Sequence, residues 1–132
     1  MTQREDSTTK RETTLGRWNP GDLAYVERLE LTTPRYGSPG LAITALFQGR
    51  SVSLAKWPDE SLPFNRVRLY FDNVRDLSLN GFGRTPQQVM GFDIRDISDR
   101  RLEGLRLDVG DYEAGTIHFK CSDVHVLEDK FS

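Results

Sequence analysis

The sequence predicts a mostly-β domain: an antiparallel β-sandwich or open barrel of about eight short strands, with at most one short helix. Three observations carry that expectation. Short runs alternate apolar and polar residues. Turn residues break those runs at roughly ten-residue spacing. No stretch supplies the crossover helices that parallel strands need.

The elements follow in order. Met1–Gly16 has only Met1 and Leu15 as apolar residues and reads as a flexible N-terminal leader or an expression-derived segment. Residues 17–132 are expected to form a single β-rich domain. Leu23 to Thr32 fits a strand ended by Pro34 and the Gly37-Ser38-Pro39-Gly40 cluster. Leu23, Val26 and Glu30 fit a short helix over residues 19–30 as well. From Leu41 to Phe47, Leu41, Ile43, Ala45 and Phe47 share one face, and Gln48-Gly49-Arg50 turns the chain into a hairpin partner, Ser51 to Trp57. Pro58 and Pro63 bracket a loop. The clearest strand is Asn65 to Asp72, with Val67, Leu69 and Phe71 opposed to Arg66, Arg68 and Tyr70.

A second strand follows through Leu77 and Leu79 and ends at Gly81-Phe82-Gly83. Val89 to Ile97 is the next. Leu105, Leu107 and Val109 alternate with Arg106 and Asp108, and Gly110-Asp111 is read as the turn after them. In the last segment Ile117, Phe119 and Cys121 share one parity, and Val124 and Val126 the other. A β-bulge at Ser122-Asp123 produces that switch; so do two short strands with a bend between them.

Composition bounds the function. The chain of 132 residues carries 18 basic and 20 acidic side chains, a net charge of −2. That balance is no electrostatic footprint for nucleic acid or for an anionic membrane. No run approaches the roughly 18 apolar residues of a membrane span, and residues 1–16 have no apolar region of the kind a secretory signal needs. Cys121 is the only cysteine, so no intrachain disulfide can form; a cytoplasmic, reducing compartment is expected.

His118 and His125 lie seven residues apart, without the H-x-x-x-H or C-x-x-C spacing of a zinc site, so no metal and no cofactor is expected. Both read as residues of a polar strand face. Cys121 falls on the inner face, opposite in parity to His118, so it reads as an inert buried thiol. No catalytic residue is picked out. The acidic run is the stronger feature: from Gly91 to Ser132 there are ten acidic and six basic residues. Asp93, Asp96 and Asp99 recur every three residues, and Asp108, Asp111 and Glu113 continue the excess. The ordinary reading is a solvated face; the functional one is an acidic patch that meets a basic partner. Trp18, Tyr36 and Trp57 sit beside turn residues and read as an aromatic rim or as cover for the end of a sandwich.

The run Val67-Arg68-Leu69-Tyr70-Phe71-Asp72-Asn73-Val74-Arg75-Asp76-Leu77-Ser78-Leu79 forms a strand, a short joint and a second strand. Phe82, the segment Val89-Met90-Gly91-Phe92-Asp93-Ile94 and the ending from Gly115 to Val126 continue the pattern. Over about residues 64–127 this resembles the immunity protein 50 family of bacterial polymorphic toxin systems. The resemblance implies a small cytoplasmic protein that binds and neutralises a toxin, and it brings no catalytic residues. A non-enzymatic protein-binding domain is therefore expected, with another protein as partner. The alternatives are a small-ligand or carbohydrate-binding β-domain, or a hydrolase using carboxylates, with Trp18, Tyr36 or Trp57 lining the site. A self-associating domain using an exposed edge strand is a third.

Overall fold

A computed structural model describes residues 18–33, 39–49, 56–83, 87–100, 104–113 and 115–131. Nine strands are present among them: β1 Leu23–Thr32, β2 Gly40–Phe47, β3 Asn65–Asp72, β4 Arg75–Leu79, β5 Gln87–Gln88, β6 Phe92–Asp96, β7 Leu107–Asp111, β8 Ile117–Cys121 and β9 Asp123–Phe131. They form two antiparallel sheets, one of five strands in the order β5-β1-β2-β3-β9 and one of four in the order β4-β8-β7-β6. The sheets are not closed into a barrel, so the mostly-β expectation resolves to a sandwich. The only helical elements among the described residues are 3-10 turns at Pro20–Asp22 and Ser98–Arg100. No helix of these residues is long and apolar enough to cross a membrane.

The core lies between the sheets. Ile43, Phe47, Leu69 and Phe71 from one side meet Ile94, Val109, Ile117 and Phe119 from the other, all shielded from solvent. The Phe71 and Phe119 rings join the layers edge to face, centroids 4.9 Å apart.

The segment that fitted either helix or strand is strand β1, and its bulges explain the ambiguity. Its register against β2 slips between Leu23 and Tyr25 and again between Val26 and Arg28, leaving Ala24 and Glu27 as extra residues. Each extra residue lengthens the inward repeat from two to three. Leu23, Val26 and Leu29 thus pair with Phe47, Ala45 and Ile43 on one face while mimicking helical spacing.

One two-stranded ribbon bends through both sheets. β3 pairs with β9 in the larger sheet, and their continuations β4 and β8 pair in the smaller. At the corner Asn73 has φ 53°, a left-handed conformation that asparagine tolerates better than most residues. Its Nδ2 donates to Ser122 Oγ at 2.8 Å, and that hydroxyl donates in turn to the Gly104 carbonyl. The parity switch at Ser122-Asp123 is therefore a bend between two strands.

Two other expectations change, and a third is tested only at its end. Gly110 and Asp111 belong to β7, and the turn follows them at Tyr112 and Glu113. The strand expected over Val89–Ile97 shrinks to Phe92–Asp96, because Gly91 at φ 74° separates it from β5 in the other sheet. Most of the expected strand Ser51–Trp57 lies outside the described residues, and Lys56–Pro58 form a bend. The loop after that bend is held by buried Gln48, whose amide donates to the Asp59 carbonyl at 2.9 Å and accepts from the Asp59 N–H at 2.7 Å.

Candidate functional site

Strand register sets out the outer face of the four-stranded sheet as two rows. Arg75, Lys120, Asp108 and Arg95 form one; Ser78, His118, Gly110 and Asp93 form the other. The key position is Gly110. A Cβ there would stand 2.8 Å from the Ile117 carbonyl oxygen and 3.1 Å from His118 Cδ2. The imidazole lies across the space that a side chain would fill. Its Nε2 meets Asp108 Oδ1 at 2.6 Å, the Asp108 side chain being 13% exposed and that of His118 40%.

Tyr112 folds back onto this pair from the turn after β7. Its hydroxyl donates to the Asp108 carbonyl at 3.1 Å, and its ring meets His118 edge-on with centroids 6.4 Å apart. Arg95 Cζ stands 3.7 Å from the centre of the same ring, close enough for a cation–π contact. Arg95 Nε is also 3.6 Å from Asp93 Oδ2. Burial, and then the Asp108 charge, push the Tyr112 hydroxyl up to about 12, with Arg95 opposing. It is therefore a neutral hydrogen-bond donor at any physiological pH.

Ser78, His118 and Asp108, on three neighbouring strands, have the residue types of a nucleophilic triad. The geometry differs from one. β8 lies between β4 and β7, and the ring leans over Gly110 toward β7, away from Ser78 on β4. Its Nε2, the atom that would activate a serine, is on Asp108. Cys121 is inside the sandwich, where burial pushes its thiol up to about 12. Among the described residues no three histidine, cysteine or carboxylate side chains converge as metal ligands.

The expected acidic residues divide into two groups. Asp93, Asp96 and Asp99 follow the edge strand β6 and the Ser98–Arg100 turn after it, with Asp96 Oδ1 accepting from the Ser98 N–H at 2.9 Å. Asp108 lies one strand inward. Asp111 is buried at 2% exposure and so is no part of a surface patch. Glu113 lies against Gly91, its Cγ where a Cβ of that residue would come within 2.6 Å. The expected aromatic rim is elsewhere. Trp18 packs on Phe47, centroids 5.4 Å apart, and Trp57 Nε1 donates to the Gln48 carbonyl at 2.8 Å. Both indoles thus sit at the end of β2. Tyr36 lies outside the described residues.

The aromatic that does stand among the acidic residues is Tyr112, which the sequence reading passed over. Its signal was its place between Asp111 and Glu113, immediately after a glycine-containing strand.

The outer face of the five-stranded sheet is arranged differently. β2 presents the small residues Ala42 and Thr44 there, and long side chains from β1 and β3 meet over them. Arg66 forms two bonds to Glu27, at 2.7 and 3.1 Å. Arg68 reaches Glu30 at 3.2 Å, as does Arg28. His125 Nε2 meets Asp72 Oδ2 at 2.7 Å. Both histidines thus lie on polar outer faces, each against an aspartate.

Compared with protein-family models, with curated proteins and with solved structures, the chain gives no match in any of the three.

Proposed function

We propose that this chain is a non-enzymatic protein-binding domain, of the immunity type, that docks a toxin on the outer face of its four-stranded sheet. One observation carries the reading: Tyr112 stands 38% exposed on Arg95, at the centre of a face whose charged groups surround it. Tyrosine and arginine at the middle of a polar ring are the side chains in which interface energy concentrates. Asp93, Asp96 and Asp99 along the adjoining edge suit a basic partner surface and would steer its approach. The resemblance over residues 64–127 favours the same class, and steric cover of the toxin is the mechanism.

The test compares the wild-type chain with Tyr112→Ala and, as a control on the opposite face, Tyr70→Ala. Each is used to capture partners from the source cells, and affinity for the captured protein is then measured. The expected outcome is one toxin-like partner, bound about 30-fold or more weaker by Tyr112→Ala, the loss of a hot-spot side chain, and unchanged by Tyr70→Ala. Equal binding by all three chains would move the interface off this face. Absence of any captured protein would overturn the protein-binding reading itself.

A further inference from the structure

An asparagine can lose its side-chain amide by an internal route, in which the next backbone nitrogen attacks the side-chain carbon; such a reaction depends on how the two are held. The chain has asparagine at Asn19, Asn65, Asn73 and Asn80. The first three are kept from it. Asn19 precedes Pro20, whose nitrogen has no hydrogen to lose. Asn65 precedes Arg66 in β3, a strand paired on both sides. Asn73 donates to Ser122 Oγ and accepts from Arg75 Nε at 3.1 Å. The residue after it, buried Val74, has its N–H on the Pro39 carbonyl at 2.9 Å.

Asn80 differs. It is exposed at the end of the edge strand β4, and exposed Gly81 follows it. Gly81 has φ 77°, and a Cβ placed on it would have nothing within 4 Å. Among the described residues neither the Asn80 side chain nor the Gly81 N–H has a hydrogen-bonding partner. The turn is tied on either side of that pair: the Asn80 N–H donates to the Thr116 carbonyl at 2.8 Å, and Phe82 packs against the core.

We infer that Asn80 is a site of spontaneous modification, where attack by the Gly81 nitrogen converts the side-chain amide to a carboxylate. A base takes the Gly81 amide proton. The nitrogen bonds to Asn80 Cγ, the Cγ–Nδ2 bond breaks, and the amide nitrogen leaves as ammonia with a proton from water. Water then adds to a carbonyl of the resulting cyclic imide and opens it, giving aspartate or an isoaspartate whose backbone runs through Cγ. Nothing is oxidised or reduced; water is consumed and ammonia released. Glycine favours the step because no Cβ obstructs the nitrogen and its backbone turns freely. The product adds one negative charge to a chain of net −2, at the edge of the four-stranded sheet. On the docking face proposed above that charge strengthens attraction for a basic partner; this consequence rests on that reading, and the modification does not.

Incubation of the full chain at pH 8 in heavy-oxygen water, followed by peptide mass mapping, reads the reaction at each asparagine. Label is expected at Asn80 at least about tenfold faster than at Asn65 or Asn73, where the attacking nitrogen is held. The native rate at Asn80 should lie within about tenfold of the rate in urea, because no structure has to open first. Asn80→Gln keeps an amide but would have to close a larger ring, and is expected to stay unlabelled over the same period. Absence of label at Asn80, or comparable labelling at Asn65, Asn73 and Asn80, would overturn the inference. So would a native rate more than about tenfold below that in urea, since the fold would then shut the turn. Labelling of Asn80→Gln at the wild-type rate would overturn it too, because the amide would be lost by direct hydrolysis. None of these results depends on whether Tyr112→Ala loses its partner.

Discussion

The two outer faces of the sandwich carry similar residues and treat them in opposite ways. Each has a histidine bonded to an aspartate, arginines, carboxylates and a tyrosine. On the five-stranded sheet the central strand offers Ala42, Thr44 and Leu46, and the flanking arginines and glutamates close over them in pairs. Tyr70 lies down as well, its hydroxyl where a Cβ of Gly40 would be. On the four-stranded sheet the gap is a single glycine. Gly110 admits only the His118 ring, which takes Asp108, and Tyr112 folds over that pair with Arg95 on its outer face, still 38% exposed. Where a face has its small residue decides which groups neutralise one another and which remain to meet a partner.

The largest effect that separates the sheets is expected at high pH. Cys121 in β8 and Tyr112 beside it are both pushed up to about 12 by burial, from 9.0 and 10.0. A raised folded value means that the native state holds protons which the unfolded chain releases. The stability these groups contribute is complete below pH 9, the ordinary thiol value, and is lost as pH rises toward 12. For the fully buried thiol that amounts to at most roughly 4 kcal/mol, at about 1.4 kcal/mol per pH unit. Urea unfolding at pH 8 and at pH 11 checks it. Cys121→Ala should lose markedly less stability between the two than the wild type, and equal losses would show that the thiol is not the source.

Glycine offers the sharpest contrast of the two faces. Gly110→Ala sets a methyl group 2.8 Å from a backbone carbonyl and displaces His118 from Asp108. A cost of about 1–3 kcal/mol is expected, in the range of overpacking. Gly40→Ala also creates an overlap, but with the far end of the Tyr70 ring, which can swing outward. Its cost should stay below about 1 kcal/mol, because a side-chain end gives way there where the backbone carbonyl beside Gly110 cannot. Denaturation midpoints at constant slope measure both. Comparable losses would mean that the smaller sheet is no more tightly built around its glycine than the larger one is.

How much of this was legible depended on the distance over which each feature is encoded. β2 and β3 were plain because Leu41, Ile43, Ala45 and Phe47, and then Val67, Leu69 and Phe71, alternate without interruption, and the strands pair in unbroken register. β1 was ambiguous because the bulges at Ala24 and Glu27 put its inward residues at helical spacing. The site was hidden for a different reason. Arg95, Asp108, Tyr112 and His118 sit in three strands and a turn, and only register brings them together. Gly110 looked like a turn residue because the strand runs one residue past it, to a buried aspartate. The acidic run was visible as composition, but composition does not distinguish Asp99 on the surface from Asp111 in the interior.

The smallest effect concerns the ion pairs of the larger sheet. Arg66 and Glu27 make a two-bonded pair at 2.7 and 3.1 Å, whereas Arg68 reaches Glu30 by a single bond at 3.2 Å. Forked contacts of this kind are the stronger ones, and the bond to Glu27 is what raises the Arg66 guanidinium value above the ordinary one. Both pairs are nevertheless solvent-exposed, so pairing conformational cost and screening leave little net gain. Double-mutant cycles with alanine are expected to give coupling of about 0.5–1 kcal/mol for Arg66–Glu27 and less than about 0.5 kcal/mol for Arg68–Glu30. Raising the salt to 1 M should erase most of both. If the Arg66–Glu27 coupling persists at that salt, the pair is shielded in a way its exposure does not suggest. The larger sheet would then owe its closed surface to the ion pairs themselves, and not to the small side chains beneath them.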